Sequence, residues 1–492
     1  MSFGTPRRPP RAPALVLLGG ALVGAVALPA AWAADARGPA DQPPPASSGA
    51  TPVSSGAAAS PAARPLSLAE AERIALEHQP SLAQARGQSE AAEGRVEQAR
   101  SGYLPQVSVT ATYQRITGNY APRPGAFPSG TSVMSSGTTV VVPSGTTGTS
   151  GGWSSKTFDF FNAGLAASQL IYDFGQTSDR WRSAEANRDA ALLTERAARA
   201  QALLGVRRAY FDARSRQELV TVAEEGVRNQ ERHLQQTEGF VRAGIRPDID
   251  LARARTDLAN ARVQLVNARN DDAVGVATLN QAMGVPAQSR YDLTDHEMPG
   301  VAGEDSAVAG LAEGAVRARP EVAALVQQAH AEDLAVSAAR GSFGPALSAT
   351  AGATEAGTHL DALVPNWFVG LSVAWPILQG GLTRGVLRET RGLAASLTAQ
   401  AETLRLQIRV EAEQAALAVA AAKANIAAAT EALVNARELL RLAERRYETG
   451  LGSAIELGDA QLARNTAAAQ EVSARYSLAS ARAQLLFALG DR

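Results

Sequence analysis

The 492-residue chain predicts an α+β membrane protein in which one unit, two β-strands plus long antiparallel helices, is present twice. Three observations lead there. The sequence repeats itself over nearly its whole length. Two proline-free stretches are too long for the helices of a compact globule. Short segments that alternate apolar and polar residues interrupt the helical pattern, and aromatic residues gather at their flanks.

The repeat is read first, because missing it misassigns the whole fold. Leu76-Glu77-His78-Gln79-Pro80-Ser81-Leu82 corresponds to Val316-Arg317-Ala318-Arg319-Pro320-Glu321-Val322 at a spacing of 240. The same spacing puts Ala99-Arg100 on Ala339-Arg340, Pro105 on Pro345 and Ser108 on Ser348. Later the spacing becomes 206: Gly164-Leu165 falls on Gly370-Leu371, Gly175 on Gly381, Gly244 on Gly450, and Gly284 on Gly490. The fall from 240 to 206 gives the first half 34 additional residues, within the Gly-, Ser- and Thr-rich stretch 114–157, which reads as a loop. The first repeat then covers 66–300 and the second 301–492.

Ahead of the repeats, Arg7, Arg8 and Arg11 precede an apolar run from Ala12 to Leu28 and the small-residue site Ala31-Trp32-Ala33. Residues 1–33 therefore read as a signal peptide; an N-terminal anchor is the competing reading, but the apolar run is short and broken. Residues 34–65, rich in Pro, Ala and Ser, read as a disordered leader.

Each half holds the same series. Pro80 and Pro320 open helices over 80–102 and 320–342, since proline is favoured at the first helical position. The period then switches from 3.6 to 2, predicting strands near 104–113, 160–172, 345–353 and 366–377. Val107, Val109, Ala111 and Tyr113 oppose Gln106, Ser108, Thr110 and Thr112, and Trp367, Val369, Leu371 and Val373 oppose Phe368, Gly370 and Ser372, extending to Trp375 and Ile377. Strands of about ten residues suit a tilted bilayer crossing, and flanking aromatics suit its interfaces. Helices follow over 176–243 and 248–284, and over 381–449 and 453–490. At 1.5 Å per residue the longer member of each pair reaches roughly 100 Å. Helices 80–102 and 248–284, stacked end to end, would match it.

Composition excludes several classes. A net charge of −1 (−4 once residues 1–33 are removed) lacks the basic excess of a nucleic-acid partner. Zero cysteines exclude disulfides, thiolate metal sites and a lipidated N-terminal cysteine. The five histidines (His78, His233, His296, His330, His359) hold no metal-ligand spacing and read as solvated or locally hydrogen-bonded imidazoles. No catalytic constellation or cofactor site emerges. A four-stranded sheet would also leave two edges unpaired in lipid, at several kcal/mol per backbone group, so the chain is expected to join copies of itself; three copies leave room for a channel.

The series as a whole resembles the TolC-like outer membrane efflux protein family over about residues 66–492. The residues that carry the likeness are Pro80 and Pro320; Tyr103-Leu104-Pro105 and Phe343-Gly344-Pro345 entering strands; Tyr172-Asp173-Phe174-Gly175 and Leu378-Gln379-Gly380-Gly381 leaving them; and Val241-Arg242-Ala243-Gly244 and Tyr447-Glu448-Thr449-Gly450 at the helical turns. The resemblance implies a homotrimer with a 12-stranded barrel in the outer membrane lipid, continuous with a periplasmic α-helical barrel, and an extracellular placement of loop 114–157. It implies a periplasmic adaptor and an inner-membrane pump of the resistance-nodulation-division or ABC type as partners, in drug efflux or type I secretion.

By the same resemblance the tips at 240–252 and 446–460 form the periplasmic mouth. Glu456 and Asp459 fall at the family's acidic constriction, on one helix face by their i, i+3 spacing. Asp250 and Tyr447 resemble the pair that ties neighbouring tips shut. Gly452 stands where some members carry a basic residue, which turns attention to Arg246. Gly244, Ile245, Gly450, Leu451 and Gly452 are the expected adaptor-docking tips. A non-channel periplasmic coiled-coil protein is the alternative reading.

Overall fold

The computed structural model describes residues 64–117, 133–135, 138–140, 157–286, 291–305 and 308–490. Residues 1–33 and nearly all of the expected leader lie outside them. The expected end of that leader is ordered, however: Arg64–Leu66 forms strand β1, paired in parallel with β6 (Tyr291–Leu293). Leu66 carries no exposed surface, and its carbonyl accepts a hydrogen bond from the Tyr210 hydroxyl at 2.9 Å. Burial in a side-by-side strand pair outweighs the local Pro/Ala/Ser composition.

The first repeat then runs α1 (Leu68–His78), α2 (Pro80–Ser101), β2 (Gln106–Thr117), the short hairpin β3 (Val133–Ser135) and β4 (Thr138–Val140), β5 (Thr157–Tyr172), α3 (Gln176–Arg242) and α4 (Asp248–Met283). The second runs α5 (Val308–Ala318), α6 (Pro320–Gly341), β7 (Ala346–Gly357), β8 (Val364–Ala374), α7 (Leu382–Glu448) and α8 (Ala454–Ala488). α3 and α7 both have 67 residues.

Strands β2, β5 and β7 are longer than alternation alone suggests, because the ladder continues as far as a partner strand does. Strand β8 is shorter and stops before Trp375 and Ile377: Pro376 has no N–H to offer the ladder, and the Trp375 indole instead donates to the Phe343 carbonyl at 3.0 Å.

The four long strands form one antiparallel sheet in the order β2-β5-β7-β8. Its register aligns the alternating residues of every strand. Val109 opposes Leu165, Leu165 opposes Ala353, and Ala353 opposes Trp367, so these share one face. Thr110, Gly164, Thr354 and Asn366 line up on the other. On the apolar face Val107, Val109, Trp367, Val369, Leu371 and Val373 are 63–78% exposed. A slip at Leu170/Tyr172 turns Tyr172 onto that face beside Leu347.

The chain leaves the sheet through tight turns. Phe174 (φ 54°) and Gly175 (φ 86°) are left-handed, and the Asp173 carboxylate accepts from the Thr177 N–H at 2.7 Å to cap α3. Gly380 (φ 57°) and Gly381 (φ 87°) make the equivalent turn into α7.

α4 pairs with α3, and α8 with α7, as two antiparallel hairpins. The shorter helices do stack end to end. Gly284 at the end of α4 abuts His78 and Gln79, and Gly490 abuts Ala318; a Cβ on either glycine would lie under 3.0 Å from these neighbours. Buried positions on α7 fall seven apart (Ala394, Ala401, Ile408, Ala415, Ala422), then resume eleven later as Leu433, Leu440 and Tyr447. This is coiled-coil periodicity with a four-residue stutter, and its small residues let the backbones approach closely. One eighteen-residue window of α7 is apolar enough to cross a membrane by composition, with a mean hydropathy of 1.4, but it belongs to a helix about three times the length of a span. The largest core sits around β1 and β6, where Leu66, Tyr210, Phe211, Leu279, Met283 and Leu293 are all buried.

Candidate functional site

The hairpin tips bring the sequence-predicted residues together. Each long helix ends in a left-handed glycine, Gly244 (φ 72°) and Gly450 (φ 75°), which lets the next N–H bond back to the helix: Ile245 to the Phe240 carbonyl at 2.9 Å, Leu451 to the Arg446 carbonyl at 3.0 Å. Ser453 then caps α8 by accepting from the Glu456 N–H at 3.1 Å, whereas α4 starts after Pro247 without a side-chain cap. Beyond the glycines the tips expose four aliphatic side chains at repeat-equivalent positions, Ile245 and Leu451, Ile249 and Ile455, each more than half exposed.

Tyr447 is 1% exposed and faces the first hairpin of its own chain. Its socket is a single stripe of α3. The His233 ring meets it edge-on at 5.2 Å, the Thr237 hydroxyl is 3.3 Å from its own, and Phe240 lies at 6.0 Å. The Arg246 guanidinium covers the ring from the tip, 4.6 Å from its centroid. Within the chain, therefore, the hydroxyl of Tyr447 is beside Thr237 rather than paired with Asp250.

Asp250 instead has Arg246 as partner, at 3.8 Å, with both side chains 17% exposed. Arg246 also donates to the Gly452 carbonyl at 2.8 Å. The position that lacks a basic side chain is thus reached from the other hairpin. Gly452 is buried, and a Cβ there would come within 3.0 Å of the Arg446 and Tyr447 backbone.

Glu456 and Asp459 share one face of α8, but they are not equivalent. Glu456 pairs with Arg446 at 3.1 Å, both well exposed, while Asp459 is exposed on the same face. Within the chain the acidic pair thus has a cation beside it.

The sequence reading missed His233, Thr237 and Phe240. His233, expected as a solvated or locally hydrogen-bonded imidazole, is buried at 7% exposure, and its Nδ1 has no hydrogen-bond partner among the described residues. The signal was available in the spacing: Gly226, Gln230, His233 and Thr237 follow the 4-3-4 pattern of a coiled-coil seam, and all are buried. Gln230 meets Gln461 of α8 across that seam at 2.9 Å. No group of His, Asp and Glu among the described residues is arranged to hold a metal ion.

A sheet with one apolar and one polar face, continued by two helical hairpins of some 100 Å, fits a membrane-inserted protein with a long helical extension. The profile of the outer membrane efflux protein family matches residues 73–285 and 311–491, and the chain belongs to that family, which places it in the outer membrane. It is similar to two proteins of Pseudomonas putida, the solvent efflux pump outer membrane protein SrpC and the toluene efflux pump outer membrane protein TtgI. Each is 26% identical over 282 residues, which is 55% of this chain and 58% of the relative. The chain thus spans under two thirds of the relatives it matches.

Solved structures share its fold. The outer membrane channel CmeC of Campylobacter jejuni superposes with a TM-score of 0.73 at 18% identity, covering 86% of this chain and 85% of the other. VceC of Vibrio cholerae gives 0.68 at 18% identity, covering 86% and 96%. The open-state outer membrane channel MtrE of Neisseria gonorrhoeae gives 0.67 at 20% identity, covering 86% and 89%.

Proposed function

We propose that three copies of this chain form a passive exit duct in the outer membrane, fed by an inner-membrane pump through a periplasmic adaptor. The observation that carries this reading is the four-stranded sheet with one apolar face. Among the described residues β2 and β8 each have a partner strand on one side only, and the outward-facing Val and Trp residues suit lipid. Pairing β2 of one copy with β8 of the next removes both edges, and three copies give twelve strands around a polar lumen. The helices offer matching surfaces, since Leu406, Val410 and Leu417 of α7 are each more than half exposed in the single chain.

The tips are the mouth in this reading. Ile245, Leu451 and the glycines beside them give an adaptor an apolar, low-profile surface, while Tyr447, Asp250 and Arg246 hold the hairpins together. Glu456 and Asp459 set the charge at the axis, which Arg446 reduces to one net negative charge per copy. Relatives named for solvent and toluene efflux favour small apolar cargo over secreted protein.

The test is single-channel recording of the purified protein in planar bilayers. The expected result is a trimer that conducts with a preference for cations, a preference reduced in Glu456→Ala/Asp459→Ala without loss of the trimer. A monomer that never conducts would favour a non-channel coiled-coil protein, and an unchanged cation preference would remove the two acids from the mouth.

A further inference from the structure

We infer that His233 is a proton-responsive positioning residue: its neutral ring holds Tyr447 in the tip socket, and protonation releases it. The inference rests on the proposal that the tips form the mouth of the duct, and it adds a control over how firmly the two hairpins are held together there.

The argument starts from where the imidazole lies. His233 occupies a seam position of α3, is 7% exposed, and packs its ring edge-on against a tyrosine that is 1% exposed. Its Nδ1 has no hydrogen-bond partner among the described residues. A neutral imidazole tolerates that site as an aromatic body. A second proton would place a full charge in it, with no acceptor on that nitrogen, and buried charge without a partner is costly.

The groups facing the ring do not supply that partner. From α4 come Asp250 and Asp257, already engaged with Arg246 at 3.8 Å and Arg253 at 3.9 Å. From α7 comes Tyr447, which has the Arg246 cation over its ring at 4.6 Å. α8 faces the same seam with the uncharged Gln461, bonded to Gln230. On α3 itself, Glu231 and Arg232 are exposed, away from the seam. Burial accordingly pushes the imidazole below its ordinary value of 6.5, against the smaller opposing pull of Asp257 and Asp250.

The sign follows from that direction. The packed tip binds the proton more weakly than a loosened tip in which water reaches His233. Above about pH 6.5 both forms are neutral there and the packed tip is not opposed. As pH falls below that value the loosened tip gains the proton first, so acidification favours withdrawal of Tyr447 from its socket.

The absence of cysteine makes a clean test possible. A single Ala443→Cys substitution, at a site 3% exposed and one turn before Tyr447, reports tip opening through maleimide labelling of the detergent-solubilised full-length protein. Labelling is compared at each pH with the same reporter in His233→Phe and His233→Gln backgrounds, which cancels the thiol's own pH dependence. From about pH 7.5 to about pH 5.5 the ratio of rates, parent over variant, is expected to rise several-fold for both variants. Two variants of different polarity separate loss of titration from loss of packing. A ratio that stays flat with pH for either folded variant overturns the inference. Because labelling needs no conduction, a failure here is distinct from a protein that labels as expected yet forms no channel.

Discussion

The two hairpin tips are built on one plan and finished differently. Both close on a left-handed glycine, and both expose aliphatic residues at equivalent positions. Two residues past the glycine they part: the first tip has Arg246, the second Gly452. The arginine reaches over to the glycine's carbonyl, pairs with Asp250 and roofs Tyr447. One tip supplies the clasp and the other the flat surface it closes on. A duplicated chain thereby gains an asymmetric joint, because a second large side chain at Gly452 would collide with the end of α7.

Substitutions that break this division should rank by how much of the socket they empty, read as the local opening free energy from amide exchange in the last turns of α7. Tyr447→Ala leaves a ring-sized cavity between the hairpins and should lower it by about 3–5 kcal/mol. A loss under about 1 kcal/mol would mean the tyrosine is not what joins them. Arg246→Ala removes a largely buried charge-assisted bond to the Gly452 carbonyl and should cost about 1.5–3 kcal/mol; equal behaviour of Arg246→Lys would argue that charge alone, and not the fork over Tyr447, matters. Gly244→Ala and Gly450→Ala should cost least and cost the same, about 1–2 kcal/mol each, since both need a left-handed backbone and both have open space for a methyl group. Unequal costs would show that the tips differ in backbone as well as in side chains.

A pH comparison sharpens the contrast between the tip and the region around β6. Glu304, 9% exposed at its side chain, is pushed up by burial but pulled down further by bonds from Arg482 and Lys423, to about 2. A depressed carboxyl contributes stability above its ordinary 4.5 and loses it as pH falls toward 2. Loosening at His233 belongs below about pH 6.5, so tip labelling should respond well before thermal stability does. Coincident transitions would indicate general acid unfolding.

Much of this was legible in the residues, and particular elements show why. The two offsets place the helices with little error, since α1 and α5, or α3 and α7, begin 240 and 206 positions apart. Period-two alternation found all four long strands. It missed β1, where three residues of unremarkable composition become a strand by lying beside Tyr291–Leu293. At the site, the missing base at Gly452 drew attention to Arg246, but the Gly452 carbonyl it bonds was not legible: a carbonyl on the other hairpin leaves no trace in a side-chain pattern. His233 looked like any solitary histidine, because burial depends on what the opposite hairpin presents.

The sequence alone determined the duplication, the helix lengths and the two-faced strands, because each follows from periodicity within one continuous segment. Only the tertiary structure decided that β5 and β7 join the repeats at the centre of the sheet, that Tyr447 faces its own chain's first hairpin, and that Arg246 serves the glycine of the other tip. Those contacts lie between segments hundreds of residues apart, where pairing is settled by which surfaces fit and which charges find partners.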